Sequence, residues 1–156
     1  MWQLNLPEFK FNIKKTADKL FILDSLRKKF VKLTPEEWVR QNFIQYLIQI
    51  KNFPGALIAL ESQIEINGMK KRCDAIVFNR YAKPMIIIEF KAPTVAISQK
   101  TFDQAAVYNS KLHIDFFIIS NGIQHYFCEI NNNKMNYDFH PDIPDFSYFY
   151  PSDTSL

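Results

Sequence analysis

Between residues 57 and 79, apolar and polar positions alternate in two runs that meet at Asn67-Gly68. Both central residues of a type I′ turn need positive φ, and Asn-Gly supplies it, so the pattern predicts a hairpin of 57–66 with 69–79. A two-residue turn fixes register and places Glu65 across from Lys70 and Gln63 across from Arg72. On the other face Ile58 meets Val77 and Leu60 meets Ala75, as a core requires. Glu61 falls directly across from Asp74. Two facing carboxylates repel unless a cation or a proton lies between them, which makes this pair a first hint of a metal site.

Upstream, Thr34-Pro35-Glu36-Glu37 has the form of a helix start, with Thr34 as N-cap, Pro35 in the first position and Glu37 as the acid of a capping box. Trp38, Phe43, Ile44, Leu47, Ile48 and Ile50 recur at helical spacing, and Pro54-Gly55 closes a helix that reaches about Lys51. Met85 to Phe90 is apolar on both faces except for Glu89, as in a central buried strand, and Ala92-Pro93 ends it. Period two puts Glu89 and Lys91 on one face at the strand's end. Ser98 to Ser110 reads as a helix, and 114–120 with 123–130 as a second hairpin around Asn121-Gly122, so each glycine falls at a turn. Residues 5–33 alternate loosely: Phe9, Phe11 and Ile13 predict one strand, and Leu20 to Leu23 a second. The order is helix, three strands, helix, two strands. After Asn131-Asn132-Asn133 the pattern dissolves into an aromatic, proline-containing tail with no assignable element.

With 156 residues and 47% hydrophobic content, the chain is sized for one domain with one core. The expected division is a basic β-rich extension at 1–33, a core at 34–130 and an aromatic tail at 131–156. Charge changes the picture more than composition does. Residues 1–33 carry eight Lys/Arg against three acids, a net +5, whereas 131–156 carry one Lys against four Asp. The basic part could meet a polyanion, or its lysines could simply solvate a surface. Cys73 and Cys128 have no CxxC spacing, so zinc is not indicated and reduced thiols in a cytoplasmic protein are expected. No apolar run is long enough to span a bilayer and the first residues lack the form of a signal peptide, so no membrane is expected.

Hydrolysis of a phosphodiester by a divalent ion needs carboxylates to hold the ion and a cation to steady the developing phosphoryl charge. Asp74, on the hairpin, and Glu89 and Lys91, on the next strand, supply these groups on neighbouring strands. The tripeptide alone proves nothing, because Glu8-Phe9-Lys10 repeats it with no preceding hairpin Asp. What separates Glu89-Phe90-Lys91 is the apolar strand before it, the Asp beside it and the helix after it. Otherwise the strand simply ends in a surface ion pair.

The run Leu33-Thr34-Pro35-Glu36-Glu37-Trp38-Val39-Arg40-Gln41, then Asp74, Glu89-Phe90-Lys91 and Gln104-Ala105-Ala106-Val107-Tyr108, resembles the N-terminal nuclease domain of type I restriction enzyme R subunits. That family lies in the PD-(D/E)xK superfamily, and the resemblance covers about residues 20–130; RecB-like nucleases share its Gln-x-x-x-Tyr motif. It implies an α/β fold with a restriction-endonuclease-like core, a central mixed sheet flanked by helices in the order αβββαβ. It also implies Mg²⁺-dependent DNA cleavage, with Mn²⁺ as an alternative ion, and restriction-modification subunits as partners. By the resemblance Asp74 and Glu89 match metal ligands, Lys91 the catalytic lysine, and Gln104 and Tyr108 supporting residues. Cys73 stands where the superfamily name puts Pro, and no GxxxxGK[ST] loop is present, so the expectation for this chain alone is a nuclease domain, or a fragment, without an ATPase motor.

Several of these residues have plainer explanations. Glu37 fits an extra acid at the site or the capping box equally well. Gln104 and Tyr108 share a helix face and could merely pack at a rim. Glu61 rests on the register alone, and a solvent-exposed or protonated Glu would also explain it. Arg27-Lys28-Lys29 and Lys70-Lys71-Arg72 could contact DNA phosphates, or the second could be a solvated hairpin tip. His113, His125 and His140 have no metal or nucleophile spacing and are expected to be structural. The competing function is a catalytically inactive module that binds DNA or a partner subunit on the same fold.

Overall fold

The structure, a computed structural model, describes residues 1–131, 133 and 136–151. Its centre is a six-stranded mixed sheet in the order β4-β5-β6-β7-β8-β9, with strands Ile58–Ile66, Met69–Phe78, Pro84–Phe90, Phe116–Ser120, His125–Asn131 and Asn136–His140. All neighbours are antiparallel except β6 and β7. A parallel pair needs a crossover, and helix α2 (Gln99–Lys111) supplies it. A separate antiparallel sheet holds β1 (Ile13–Thr16), β2 (Lys19–Asp24) and β3 (Lys29–Lys32).

The two helices cover opposite faces of the large sheet. Helix α1 (Pro35–Gln49) lays Val39, Phe43, Ile44 and Leu47 on Ile86, Ile88, Phe90, Ile118 and Phe127. The alternate residues Phe117, Ile119 and Cys128 turn the other way and meet Phe102 and Ala105 of α2. Strand β6 is therefore apolar on both faces because both are covered. Among the described residues no helix is long and apolar enough to cross a membrane.

Helix α1 begins as expected at Thr34, whose hydroxyl accepts the Glu37 N–H at 3.1 Å. The other half of the capping box is absent. The Glu37 carboxylate turns inward to Arg27, Arg40 and Gln41, where charged partners offer stronger hydrogen bonds than a backbone N–H. Val39 is fully buried, while Ile50, the C-cap residue just past the helix, is about half exposed.

The first hairpin forms in the expected register, from Ile58↔Val77 and Leu60↔Ala75 to Gln63↔Arg72 and Glu65↔Lys70. The Glu61 and Asp74 positions drop out of the ladder, and Glu61 takes φ +48°. Because one residue is omitted from each strand, register survives but the faces exchange. Ile58, Ala75 and Val77 pack on the α1 side, whereas Ile64 and Cys73, of the same parity, pack with Ile76, Ile87, Leu112 and Ile114 on the other.

Both ends of the chain depart from expectation. Residues 5–12 form no strand; Asn5 donates to Gly122 O at 2.8 Å and Leu4 and Leu6 lie against the core. The extension contains three short strands, the third being β3. The tail is not irregular throughout: β9 adds a sixth strand and a 3₁₀ turn spans Phe146–Phe149. Phe146 packs on Phe53 with centroids 5.2 Å apart, and its N–H reaches Lys51 O, so the tail closes one end of the core. Residues 132, 134–135 and 152–156 of that tail lie outside the described residues.

The N-terminal strap makes a stability prediction. Gly122 has φ +83°, and a Cβ there would stand 2.7 Å from Leu4 Cδ2 and 3.0 Å from Val39 Cγ2. Gly68 has φ +78° with nothing within 4 Å. Gly68→Ala should cost about 1 kcal/mol and Gly122→Ala about 2–4 kcal/mol, since crowding adds to backbone strain. Urea denaturation reads the difference; equal costs would show that the strap does not lie where described.

Candidate active site

The break in the β4–β5 ladder positions the site. The β5–β6 register ends at Ala75↔Ile88, and continuing it by one step sets Asp74 beside Glu89. Instead of extending the ladder, Asp74 uses its side chain: Oδ2 accepts the Phe90 N–H at 2.8 Å. That bond fixes the carboxylate at the end of β6. Both acids are partly open, with side chains 28% and 27% exposed.

Glu61 also reaches this region, but the cation between it and Asp74 is Arg40. The Arg40 guanidinium, 4% exposed, contacts Glu61 Oε1 at 2.6 Å, Glu37 Oε2 at 2.8 Å and Asp74 Oδ1 at 3.6 Å, with Glu36 Oε1 at 3.8 Å. Behind it lies a buried network. Asp24 pairs with Arg27, Arg27 with Glu37 at 2.8 Å, and Gln41 Nε2 donates to both acids. Glu37 is thus a support for Arg40 and does not stand among the exposed carboxylates. Arg27 is engaged in the same network.

Burial raises the Asp74 carboxyl above its ordinary value; the Phe90 N–H and Arg40 lower it, and Glu89 and Glu61 raise it again. Glu36 is raised by burial and then by Asp74, against the lowering charges of Arg40 and Lys91. Glu61 feels burial too, but Arg72 and Arg40 hold it below the usual range. Four carboxylates therefore share one field.

Lys91 follows β6 directly, and its N–H donates to Ser120 O at 2.9 Å, tying it to the end of β7. Its ammonium forms no ion pair among the described residues. Lys71, in contrast, lies 2.7 Å from Glu89 Oε1 and 4.3 Å from the centre of the Tyr108 ring. Tyr108 is therefore brought to the site, although the exposed Gln104 on the same helix bonds to none of these residues. Arg72 pairs with Glu61 at 2.9 Å and Lys70 with Glu65 at 3.8 Å, both largely exposed, and Lys28 and Lys29 are exposed on the small sheet.

The family described as type I restriction enzyme R protein N terminus (HSDR_N) matches residues 35–144. This chain belongs to that family. The match starts at the first residue of α1 and ends beyond β9, so it includes Arg40, Glu61, Asp74, Glu89, Lys91 and Tyr108 and leaves the small basic sheet, with Asp24 and Arg27, outside. Among curated proteins, none matches the sequence significantly.

The donor set suits a hard divalent ion. Mg²⁺ takes oxygen ligands, usually one or two carboxylates with water completing the shell. Asp74 and Glu89 offer two carboxylates on adjacent strands, and among the described residues no hydrogen bond is made to Glu89 Oε2. No group of three His, Cys, Asp or Glu converges in metal-holding geometry among the described residues. A surface cleft of about 420 Å³ lies elsewhere, between α2 and Tyr137, and contains none of these carboxylates.

Sequence reading missed Arg40 and Glu36. Their signal was present, since Glu36, Glu37 and Arg40 are spaced so that both acids fall one turn before the arginine. That spacing points to an ordinary helix ion pair, and only the fold brings Arg40 against Glu61 and Asp74.

Two substitutions should move stability in opposite directions. For Asp24, burial raises the carboxyl, but backbone and side-chain hydrogen bonds from Arg27, the Gln41 amide and the Arg27 charge bring it below the ordinary 3.8. Its stabilisation is complete above that value and is lost as pH falls through the lower folded one. Asp24→Asn should therefore cost about 1–3 kcal/mol at pH 7. Asp74 has the opposite sign: its charged form is disfavoured in the fold above its raised value, a cost relieved in acid. Asp74→Asn should raise the melting temperature at pH 7, and a lower one would contradict the crowding of like charges.

Proposed function

We propose that this chain is a Mg²⁺-dependent DNA endonuclease domain on a PD-(D/E)xK core. The proposed metal ligands are Asp74 and Glu89 and the proposed catalytic cation is Lys91. The observation that carries the reading is the meeting of Asp74 and Glu89 at one end of adjacent strands, with Lys91 following Glu89, in a chain of the type I restriction enzyme R protein N-terminus family. Mn²⁺ would serve as an alternative ion.

Bound Mg²⁺ would supply a water of lowered pKa and neutralise phosphoryl charge. Asp74 is oriented for its part by the Phe90 N–H on Oδ2, with Oδ1 3.6 Å from the Arg40 guanidinium. Glu89 offers its second oxygen. Lys91, whose ammonium forms no ion pair among the described residues, can approach a phosphate oxygen and stabilise charge as it develops. Exposed Lys28, Lys29, Lys70 and Arg72 can contact the backbone of DNA, which orients it without reading sequence.

One observation favours a second reading, an inactive module that binds DNA or a restriction-modification subunit. Arg40 and Lys71 already neutralise carboxylates at the site from within the protein. A single experiment separates the two. Purified protein incubated with plasmid DNA and Mg²⁺ should cleave it, with Asp74→Ala and Glu89→Ala each losing at least about a hundredfold in rate. Lys91→Ala should lose a similar factor while retaining Mg²⁺ binding. Cleavage that persists in the carboxylate variants would sink the nuclease reading; salt-sensitive DNA binding with no cleavage and no Mg²⁺ binding would establish the second.

A further inference from the structure

Two lysines lie near Glu89, and the one that touches it is not the one in the Glu-Phe-Lys tripeptide. Lys71 projects from β5 beyond the ladder break, where the exchange of faces turns it toward α2. Without that exchange, the expected hairpin geometry would direct Lys71 to the side of Ile58 and Val77, away from Tyr108. Its ammonium meets Glu89 Oε1 at 2.7 Å and lies over the Tyr108 ring at 4.3 Å, with the side chain 12% exposed. A cation held by both a carboxylate and an aromatic face is placed far more firmly than a surface ion pair. The neighbouring basic residues behave differently: Lys70 is 63% and Arg72 77% exposed.

We infer that Lys71 is an internal counter-cation of Glu89 that competes with a divalent ion for that carboxylate, and that Tyr108 is the positioning residue that holds Lys71 there. The inference rests on the metal-ligand role proposed for Glu89. It assigns a function to Lys71 separate from phosphate contact, and gives Tyr108 a physical task. Binding of a divalent ion to Glu89 would have to displace the ammonium, which can swing outward on its flexible stem once the carboxylate is taken. Arg40 differs, being fixed by three or more acids in a buried setting, so it cannot leave in the same way.

The test is calorimetric titration of the full chain with MgCl₂, without DNA. Lys71→Met should bind Mg²⁺ about tenfold more tightly than wild type. Tyr108→Leu should gain part of that factor, and Tyr108→Phe, which keeps the ring, should stay near wild type. Lys111→Met removes an equal charge from exposed α2 surface and should change affinity by less than about twofold. Adding Glu89→Gln to Lys71→Met should abolish the gain. Circular dichroism and melting curves establish that each variant is folded.

Unchanged or weaker binding in folded Lys71→Met overturns the inference, and so does an equal gain in Lys111→Met. If wild type binds Mg²⁺ and Lys71→Met shows no gain, only the inference fails. If neither binds, the metal reading of Glu89 fails with it. Binding detected in Lys71→Met alone supports the competition in its strongest form.

Discussion

Arg40 and the break in the β4–β5 ladder form one device, and the rest of the site depends on it. Glu61 and Asp74 would face each other in a continuous hairpin, with two like charges at cross-strand distance. The chain avoids this by removing both residues from the ladder and setting a buried guanidinium between their carboxylates. The same break exchanges the faces of β4 and β5, turns Lys71 toward α2 and frees Asp74 to cap the end of β6. One local irregularity thereby sets Glu61 and Asp74 on Arg40 and Lys71 on Glu89.

That device needs firm backing, because a buried arginine among acids is costly unless its partners are held. The Asp24–Arg27–Glu37–Gln41 network provides it, and it joins the small sheet, the start of α1 and the hairpin. The basic extension therefore has a structural duty even though it lies outside the family match: its Asp24 and Arg27 anchor the helix that carries Arg40. The remaining lysines of the extension stay at the surface. The strap at Leu4–Leu6 and the aromatic tail close the core from other sides.

The carboxylates at the open end live in a balance between internal cations and whatever approaches from solvent. Asp74 is destabilised in its charged form by burial and by Glu89 and Glu61, against the lowering pull of the Phe90 N–H and Arg40. Asp24, equally acidic in sequence, is fully satisfied and serves the fold. The contrast arises from the surroundings alone, since one carboxyl receives four hydrogen bonds and the other receives one with neighbours of its own sign.

What the chain determined by itself was local. Asn67-Gly68 set the hairpin register because a two-residue turn leaves no freedom in pairing, Thr34-Pro35 started α1 because the cap is satisfied within one turn, and the apolar run before Glu89 marked β6 because both its faces are buried. The family was legible too, in Glu89-Phe90-Lys91 and Gln104 to Tyr108. Tertiary structure decided what depends on residues distant in sequence. The tail's β9 has no strong pattern and forms only because β8 offers an edge, and Gly122 is constrained by Leu4 far upstream. Glu37 looked like a capping acid until Arg27 and Arg40 claimed it. The hairpin arithmetic correctly set Glu61 near Asp74, but a helix-borne cation between them could not be read from either strand, because no sequence spacing records which guanidinium a fold brings to a pair of carboxylates.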